Sequence, residues 1–175
     1  SKAMQSNAKQ CKPMQLDAMR SNAKTSKAIQ KKTKSDIIYL ADRKNFPYGT
    51  KTKSQLYKII TDTIKKISEK FDPDVIVLAS NTPSLLFRKK LPENVITILP
   101  PLERIQKASN VAVLTTEIVA KSKELDDYIS QFSDLKDVLA INCSELVELV
   151  ESGKFLTHER DCAKTILKVL KDEFK

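Results

Sequence analysis

The chain has 175 residues, enough to bury a sizeable core in one domain or two small lobes, which excludes a disulfide-scaffold miniprotein. It is 41% hydrophobic and 30% charged, and no apolar run approaches the roughly 20 residues of a spanning helix, so it reads as a soluble globular protein rather than a membrane protein. The net charge of +9 is lopsided: residues 1–35 hold nine Lys or Arg against one acid, Asp17, whereas the rest of the chain holds 22 basic and 21 acidic residues.

The first 24 residues carry no aromatic and no β-branched side chain, so they bury little. They also repeat: Ala3-Met4-Gln5-Ser6-Asn7-Ala8-Lys9 returns as Ala18-Met19-Arg20-Ser21-Asn22-Ala23-Lys24, a period too short for a solenoid. There is no apolar h-region of a signal peptide. Residues 1–25 therefore form a basic segment with two readings, an expression scar of the Ser-Asn-Ala kind or a natural arm, helical by propensity, that touches an anionic surface. Cysteine occurs only at 11, 143 and 162, an odd number at unrelated spacings, which suggests neither a disulfide framework nor a CxxC zinc site and favours a reducing, intracellular setting.

From Ser35 onward short β-branched runs alternate with amphipathic stretches. Ile37 to Ala41 reads as a strand, Leu56 to Phe71 as a helix, and Val75 to Ala79 as a strand. In the helix, Leu56, Ile59, Ile60, Thr63, Ile64 and Ile67 make one apolar stripe, and Asp72-Pro73 ends it. The strand Val75 to Ala79 has no polar alternation, as expected of a central parallel strand covered on both faces. A helix over Pro83 to Lys90 and a strand over Val95 to Leu99 follow, then Pro100-Pro101, which disfavours a continued ladder and marks a lobe boundary. Beyond it come a strand Val111 to Thr115, a helix Lys121 to Phe132, a strand Val138 to Ile141 and a helix Ser144 to Glu151. Asn142 with Glu145 fits an N-cap and its partner, Gly153 fits a helix stop, and a last amphipathic segment covers about His158 to Phe174. The expected class is α/β, with parallel-sheet three-layer lobes at 26–100 and 101–175, the second incomplete, and with ligands at the C-terminal ends of strands.

Two segments fall at such strand ends. Asp42-Arg43-Lys44-Asn45-Phe46-Pro47-Tyr48-Gly49 needs a tight turn and leaves a Tyr for a pocket. Ser80-Asn81-Thr82-Pro83-Ser84 offers Thr82 as an N-cap and Pro83 as a first helical residue, so free N–H groups would face whatever lies above Ser80, where a carboxylate suits.

These residues are similar to a known family. Tyr39-Leu40-Ala41-Asp42 through Phe46-Pro47-Tyr48-Gly49-Thr50-Lys51, then Val77-Leu78-Ala79-Ser80-Asn81-Thr82, resemble the first half of glutamate racemase, of the aspartate/glutamate racemase superfamily. The likeness continues through Val113-Leu114-Thr115-Thr116 with Lys121-Ser122 and through Asn142 to Gly153, from about Ser26 to the C-terminus. The resemblance implies cofactor-independent interconversion of L- and D-glutamate, or aspartate: one thiolate removes the α-proton while a second thiol delivers one to the opposite face. It implies an acidic amino acid as partner, no membrane, a cytoplasmic location, a place in supplying D-amino acids as peptidoglycan precursors, and no cofactor or metal. Pro47, Tyr48, Gly49, Asn81, Thr82 and Thr116 are carried over as substrate contacts, with Ser80 where the family has its first thiol.

Four departures follow from the same comparison. A hydroxyl is a far weaker acid than a thiol, so Ser80 is a poor substitute without an activating base. The family's Asp-Ser-Gly segment is not found before Thr25, and its second, Cys-Thr-His segment is not reached by Lys175; Val119 stands where the family commonly has a substrate-facing Thr. The expectation is a truncated or catalytically degraded member, self-associating as a homo-oligomer through uncovered sheet edges. The alternative is a non-catalytic binder of acidic amino acids or dicarboxylates. Nucleic-acid attachment through residues 1–35 ranks last, because arginine and aromatic side chains are nearly absent from the arm. Simpler roles also stand beside these: Tyr48 as a turn cap, Ser84 and Thr116 as N-caps, His158 as an exposed helix residue, Cys143 as a small core residue, and lysines 31, 32, 65, 66, 89 and 90 as solvated helix faces.

Overall fold

The computed structural model describes residues 26–45, 47–105, 110–132, 137–151 and 153–173. The chain divides into two compact units, one running from Pro47 to Ser144 and the other combining the residues up to Phe46 with those from Glu145 onward.

In the unit 47–144, a 3-10 turn at Tyr48–Thr50 leads into helix α1, Lys53–Phe71. The helix starts with a capping box: Thr52 Oγ1 accepts from Gln55 N at 3.3 Å, and Gln55 Oε1 accepts from Thr52 N at 3.0 Å. It stops where Asp72 turns left-handed at φ 42°, just before Pro73. Leu56, Ile60 and Ile64, four residues apart, form its buried stripe. Strand β1, Ile76–Leu78, helix α2, Asn81–Phe87, and strand β2, Val95–Thr97, then make a parallel unit in which Ile76 lies opposite Val95 and Leu78 opposite Thr97.

A second parallel pair repeats the plan. Strand β3, Asn110–Thr115, is followed by the short helices α3, Glu117–Ala120, and α4, Lys123–Ile129, and then by strand β4, Asp137–Asn142. The two strands pair over their whole length, from Asn110 opposite Asp137 to Thr115 opposite Asn142. Leu56, Ile60, Leu85, Leu86, Phe87 and Leu125, each at most 2% exposed, are the centre of one apolar cluster. Each such side chain removed from water contributes about 1.5–3 kcal/mol, which ties α1, α2 and α4 together. Tyr57 meets Phe87 edge-to-face at 5.1 Å, and Tyr128 donates to the Pro100 carbonyl at 2.6 Å under the Arg88 guanidinium, 4.9 Å from its ring.

In the other unit, residues 26–30 are helical, Asp42 accepts from the Asn45 backbone and side chain, and α5, Ser144–Glu151, stops at Gly153 with φ 69°. A 3-10 turn, Lys154–Leu156, precedes α6, Glu159–Glu173, and Lys168 pairs with Glu145 at 2.6 Å.

The α/β class with parallel sheets, expected from the alternation, is what the chain forms. Several elements differ. Residues 37–41 join no strand, and Ile38 and Leu40 are 59% and 49% exposed; an extended run becomes a strand only through a ladder partner. β1 is not covered on both faces, since Val77 and its register neighbour Ile96 are 40% and 54% exposed. The expected helix 121–132 is shorter, Lys123–Ile129, because Ser122 Oγ accepts from Leu125 N at 3.2 Å and starts it there, and a separate short helix, Glu117–Ala120, precedes it. Helix α2 begins earlier than expected: Ser80, not Thr82, holds the N-cap position, and Pro83 is the third helical residue, where its missing N–H is still an unpaired position. The basic segment 1–25 lies outside the described residues.

Ser84 is fully buried and holds the first sheet: its hydroxyl donates to the Leu78 carbonyl at 2.9 Å and accepts from Ile98 N at 3.2 Å. Ser84→Ala strips both backbone groups of that partner and should cost about 1–3 kcal/mol in urea unfolding. Lys53 Nζ reaches both carboxylate oxygens of Glu124 at 2.7 Å, and this hydrogen bond holds the Glu124 carboxyl below the usual carboxylate range. The ionised form is favoured by the fold, so its contribution is present above the unfolded value of about 4.3 and lost as pH falls through the lower folded value. The pair is partly exposed and screened, so Lys53→Met should cost no more than about 1 kcal/mol at pH 7. The difference from the parent should shrink progressively in urea titrations as pH falls below the unfolded value of about 4.3.

Candidate functional site

Parallel strands place the strand-to-helix turns of each sheet at its C-terminal edge, and Ser80, Asn81, Thr82 and Thr116 lie there, whereas Pro47, Tyr48 and Gly49 follow no strand. After β1 the chain reaches Ser80 in extended geometry, φ −132° and ψ 123°, at the N-cap of α2. A serine there ordinarily caps the helix, yet Ser80 makes no side-chain cap bond, and its half-buried hydroxyl has no hydrogen-bond partner among the described residues. After β3, Thr116 occupies the equivalent position at the start of α3, also with no side-chain cap bond. Its hydroxyl instead lies 3.3 Å from that of Thr82, and the residue is 7% exposed.

The third piece is the Tyr48–Thr50 turn, which packs beside α2. Gly49 lies so close that a Cβ there would stand 3.2 Å from Thr116 Cγ2, so the glycine serves a close approach of backbone to side chain. Tyr48 packs half-buried against the core, and the turn is held by Thr50 Oγ1 donating to the Pro47 carbonyl at 3.0 Å. Gly49 thus meets Thr116, and Thr116 meets Thr82, with Ser80 and the exposed Asn81 on the same strand-to-helix turn as Thr82.

The flank of this site is electrostatically quiet. Glu117 directly follows Thr116, and the hydrogen bond and charge of Lys121 hold its carboxyl below the usual range, so it is ionised but paired. An open cleft of about 520 Å³ at the start of α1, lined by Thr52, Lys53, Ser54, Tyr57, Phe87 and Lys90, contains none of the strand-end residues.

The other singled-out residues sit apart from this chemistry. Cys143 is buried at 4% exposure, Val119 is buried at 3%, and His158 is exposed just before α6 with its Nδ1 2.7 Å from Thr157 Oγ1. Lysines 31, 32, 65, 66, 89 and 90 are all exposed. Asn142 does not cap α5 in the expected register: its Oδ1 accepts from Ser144 N at 3.0 Å and Ser144 Oγ at 2.8 Å, and the helix begins at Ser144 itself. Ser144 was not expected at the site, yet its Oγ accepts from Glu117 N at 2.9 Å. The sequence signal was the repeat of a polar pair at two strand ends, Thr115-Thr116 and Asn142-Cys143-Ser144, which becomes meaningful only once the two strands pair.

Short parallel sheets, each running into helices through hydroxyl-bearing turns, define an α/β protein with a strand-end site. Among curated proteins, the chain is 34% identical over 119 residues to a glutamate racemase of Aliivibrio fischeri, covering 65% of this chain and 45% of that protein. It is 27% identical over 156 residues to a glutamate racemase of Clostridium botulinum, covering 85% and 58%, and 26% identical over 145 residues to one of Leptospira borgpetersenii, covering 79% and 55%. The chain is thus similar to glutamate racemases, and it spans about half the length of the curated relatives it matches. No family model matches it, and no solved structure does. No helix among the described residues is long and apolar enough to cross a membrane.

Gly49→Ala should force the Thr116 methyl to give way by a few tenths of an ångström. Thr116→Ser, which removes that methyl, should offset the cost. In urea unfolding the double variant is expected to be more stable than the sum of the single effects predicts, by about 0.5 kcal/mol or more.

Proposed function

We propose that this chain is the glutamate-handling part of a cofactor-independent amino-acid racemase, in which the strand-end crevice holds glutamate, or aspartate, for proton transfer at the α-carbon. The observation that carries this reading is the meeting of Gly49, Thr82 and Thr116, three pieces far apart in sequence, in a chain similar to glutamate racemases. Pro47, Tyr48, Gly49, Asn81, Thr82 and Thr116 contact the substrate: hydroxyls and backbone donors meet its carboxylates while Tyr48 walls the crevice. Ser80 stands on the proton-transfer side. Its hydroxyl, free of any cap bond, faces the role that the resemblance gives to a thiol. The reaction sits in the cytoplasm, in a homo-oligomer, with a first lobe at 26–100 and a second at 101–175 on either side of Pro100-Pro101.

A second reading is favoured by Ser80 itself: binding of an acidic amino acid without turnover. A serine hydroxyl holds its proton far more tightly than a thiol, and no base is hydrogen-bonded to it among the described residues.

Calorimetry with L- and D-glutamate and aspartate, alongside NMR of α-proton loss in deuterated water, tests both. Glutamate should bind, α-deuterium should enter slowly or not at all with Ser80, and Ser80→Cys should raise exchange at least tenfold if the residue stands on the proton-transfer side. Binding with no exchange in either form favours the non-catalytic reading. No binding of any of the four ligands overturns both.

A further inference from the structure

Thr116 is placed where a threonine ordinarily gives its hydroxyl to the first turn of the helix that follows. The four-residue helix α3 leaves several amides without an intrahelical partner, and the amide of Glu117 is met from outside, by Ser144 Oγ at 2.9 Å. The direction of this chain of bonds is set by chemistry. An amide only donates, so Ser144 accepts from Glu117 and gives its own proton to Asn142 Oδ1 at 2.8 Å, which also takes the Ser144 amide at 3.0 Å. Asn142 lies opposite Thr115 in the β3–β4 ladder, and Cys143 N donates to the Thr115 carbonyl at 2.7 Å, so the relay is anchored in the sheet beside the residue it serves.

We infer that Ser144 is a positioning residue: with Asn142 behind it, it caps α3 in place of Thr116 and so leaves the Thr116 hydroxyl directed at Thr82 and at a ligand carboxylate. The ligand half of this inference rests on the reading under Proposed function. With the Ser144 hydroxyl gone, the unmet α3 amides draw the Thr116 hydroxyl back into the ordinary capping position, and the turn of its side chain takes it off Thr82. Sequence position alone would give Ser144 only the role of opening α5.

The test is calorimetry of L-glutamate on the full chain with Ser144→Ala, Ser144→Thr, Thr116→Val and the Ser144→Ala/Thr116→Val pair. Ser144→Ala should weaken binding about fivefold to tenfold, the value of one hydrogen bond, and Ser144→Thr should restore it to within about twofold. In the Thr116→Val background Ser144→Ala should change binding no further, because the residue acts through the missing hydroxyl. Equal losses in both backgrounds, or no rescue by threonine, overturns the inference. If the parent chain binds no glutamate, the functional reading falls and the positioning role is decided without ligand. Ser144→Ala should then speed hydrogen exchange at the Glu117 amide and move the Thr116 methyl signal in NMR spectra while leaving the Val113 methyls in place. An unmoved Thr116 methyl overturns it.

Discussion

One hydroxyl-to-hydroxyl contact, Thr82 to Thr116, joins the end of the β1–β2 sheet to the end of the β3–β4 sheet, and the site depends on it. Each hydroxyl is free to make that contact because the helix it introduces is started by something else. Helix α2 begins at Ser80, two residues before Thr82, and α3 takes an outside acceptor from Ser144. Gly49 closes the third side by bringing backbone against the Thr116 methyl. The polar groups therefore converge through absent or displaced capping bonds, a small local loss of helix stability at the strand ends.

The scaffold that absorbs this loss is apolar and lies below the strand ends. Leu56, Ile60, Leu85, Leu86, Phe87 and Leu125 exclude water almost completely, and Ser84, buried among them, uses its hydroxyl to tie the end of β1 to the residue after β2. Two serines four residues apart thus have opposite fates: the Ser84 hydroxyl is spent wholly on the fold, and the Ser80 hydroxyl has no hydrogen-bond partner among the described residues. That division separates the residue to be read as structural from the one to be read as chemical.

The same strand end limits what the site does. A thiol near neutral pH is deprotonated in part and shuttles a proton readily, whereas a serine hydroxyl requires a neighbouring base, and the Ser80 hydroxyl has no hydrogen-bond partner among the described residues. The Glu117 carboxylate nearest to Thr116 in sequence is held by Lys121, so it neither repels an acidic ligand strongly nor serves as a free base.

By itself the sequence determined the alternation of parallel strands and helices, the apolar stripe of α1, its stop at Asp72-Pro73, the Gly153 stop of α5, and the burial of Cys143, because these follow from side-chain periodicity and local backbone chemistry. It also named the turn residues at 47–49, 80–82 and 116 through a resemblance in motif order. Tertiary structure decided what period and propensity leave open. Residues 37–41 have a strand-like composition but no ladder partner among the described residues, Ser122 opens a helix shorter than the periodicity suggested, and Ser80 rather than Thr82 opens α2. Ser144 acquired its link to Glu117 only when β3 and β4 paired in parallel and brought residues 27 positions apart within hydrogen-bond reach, an event that no local pattern encodes.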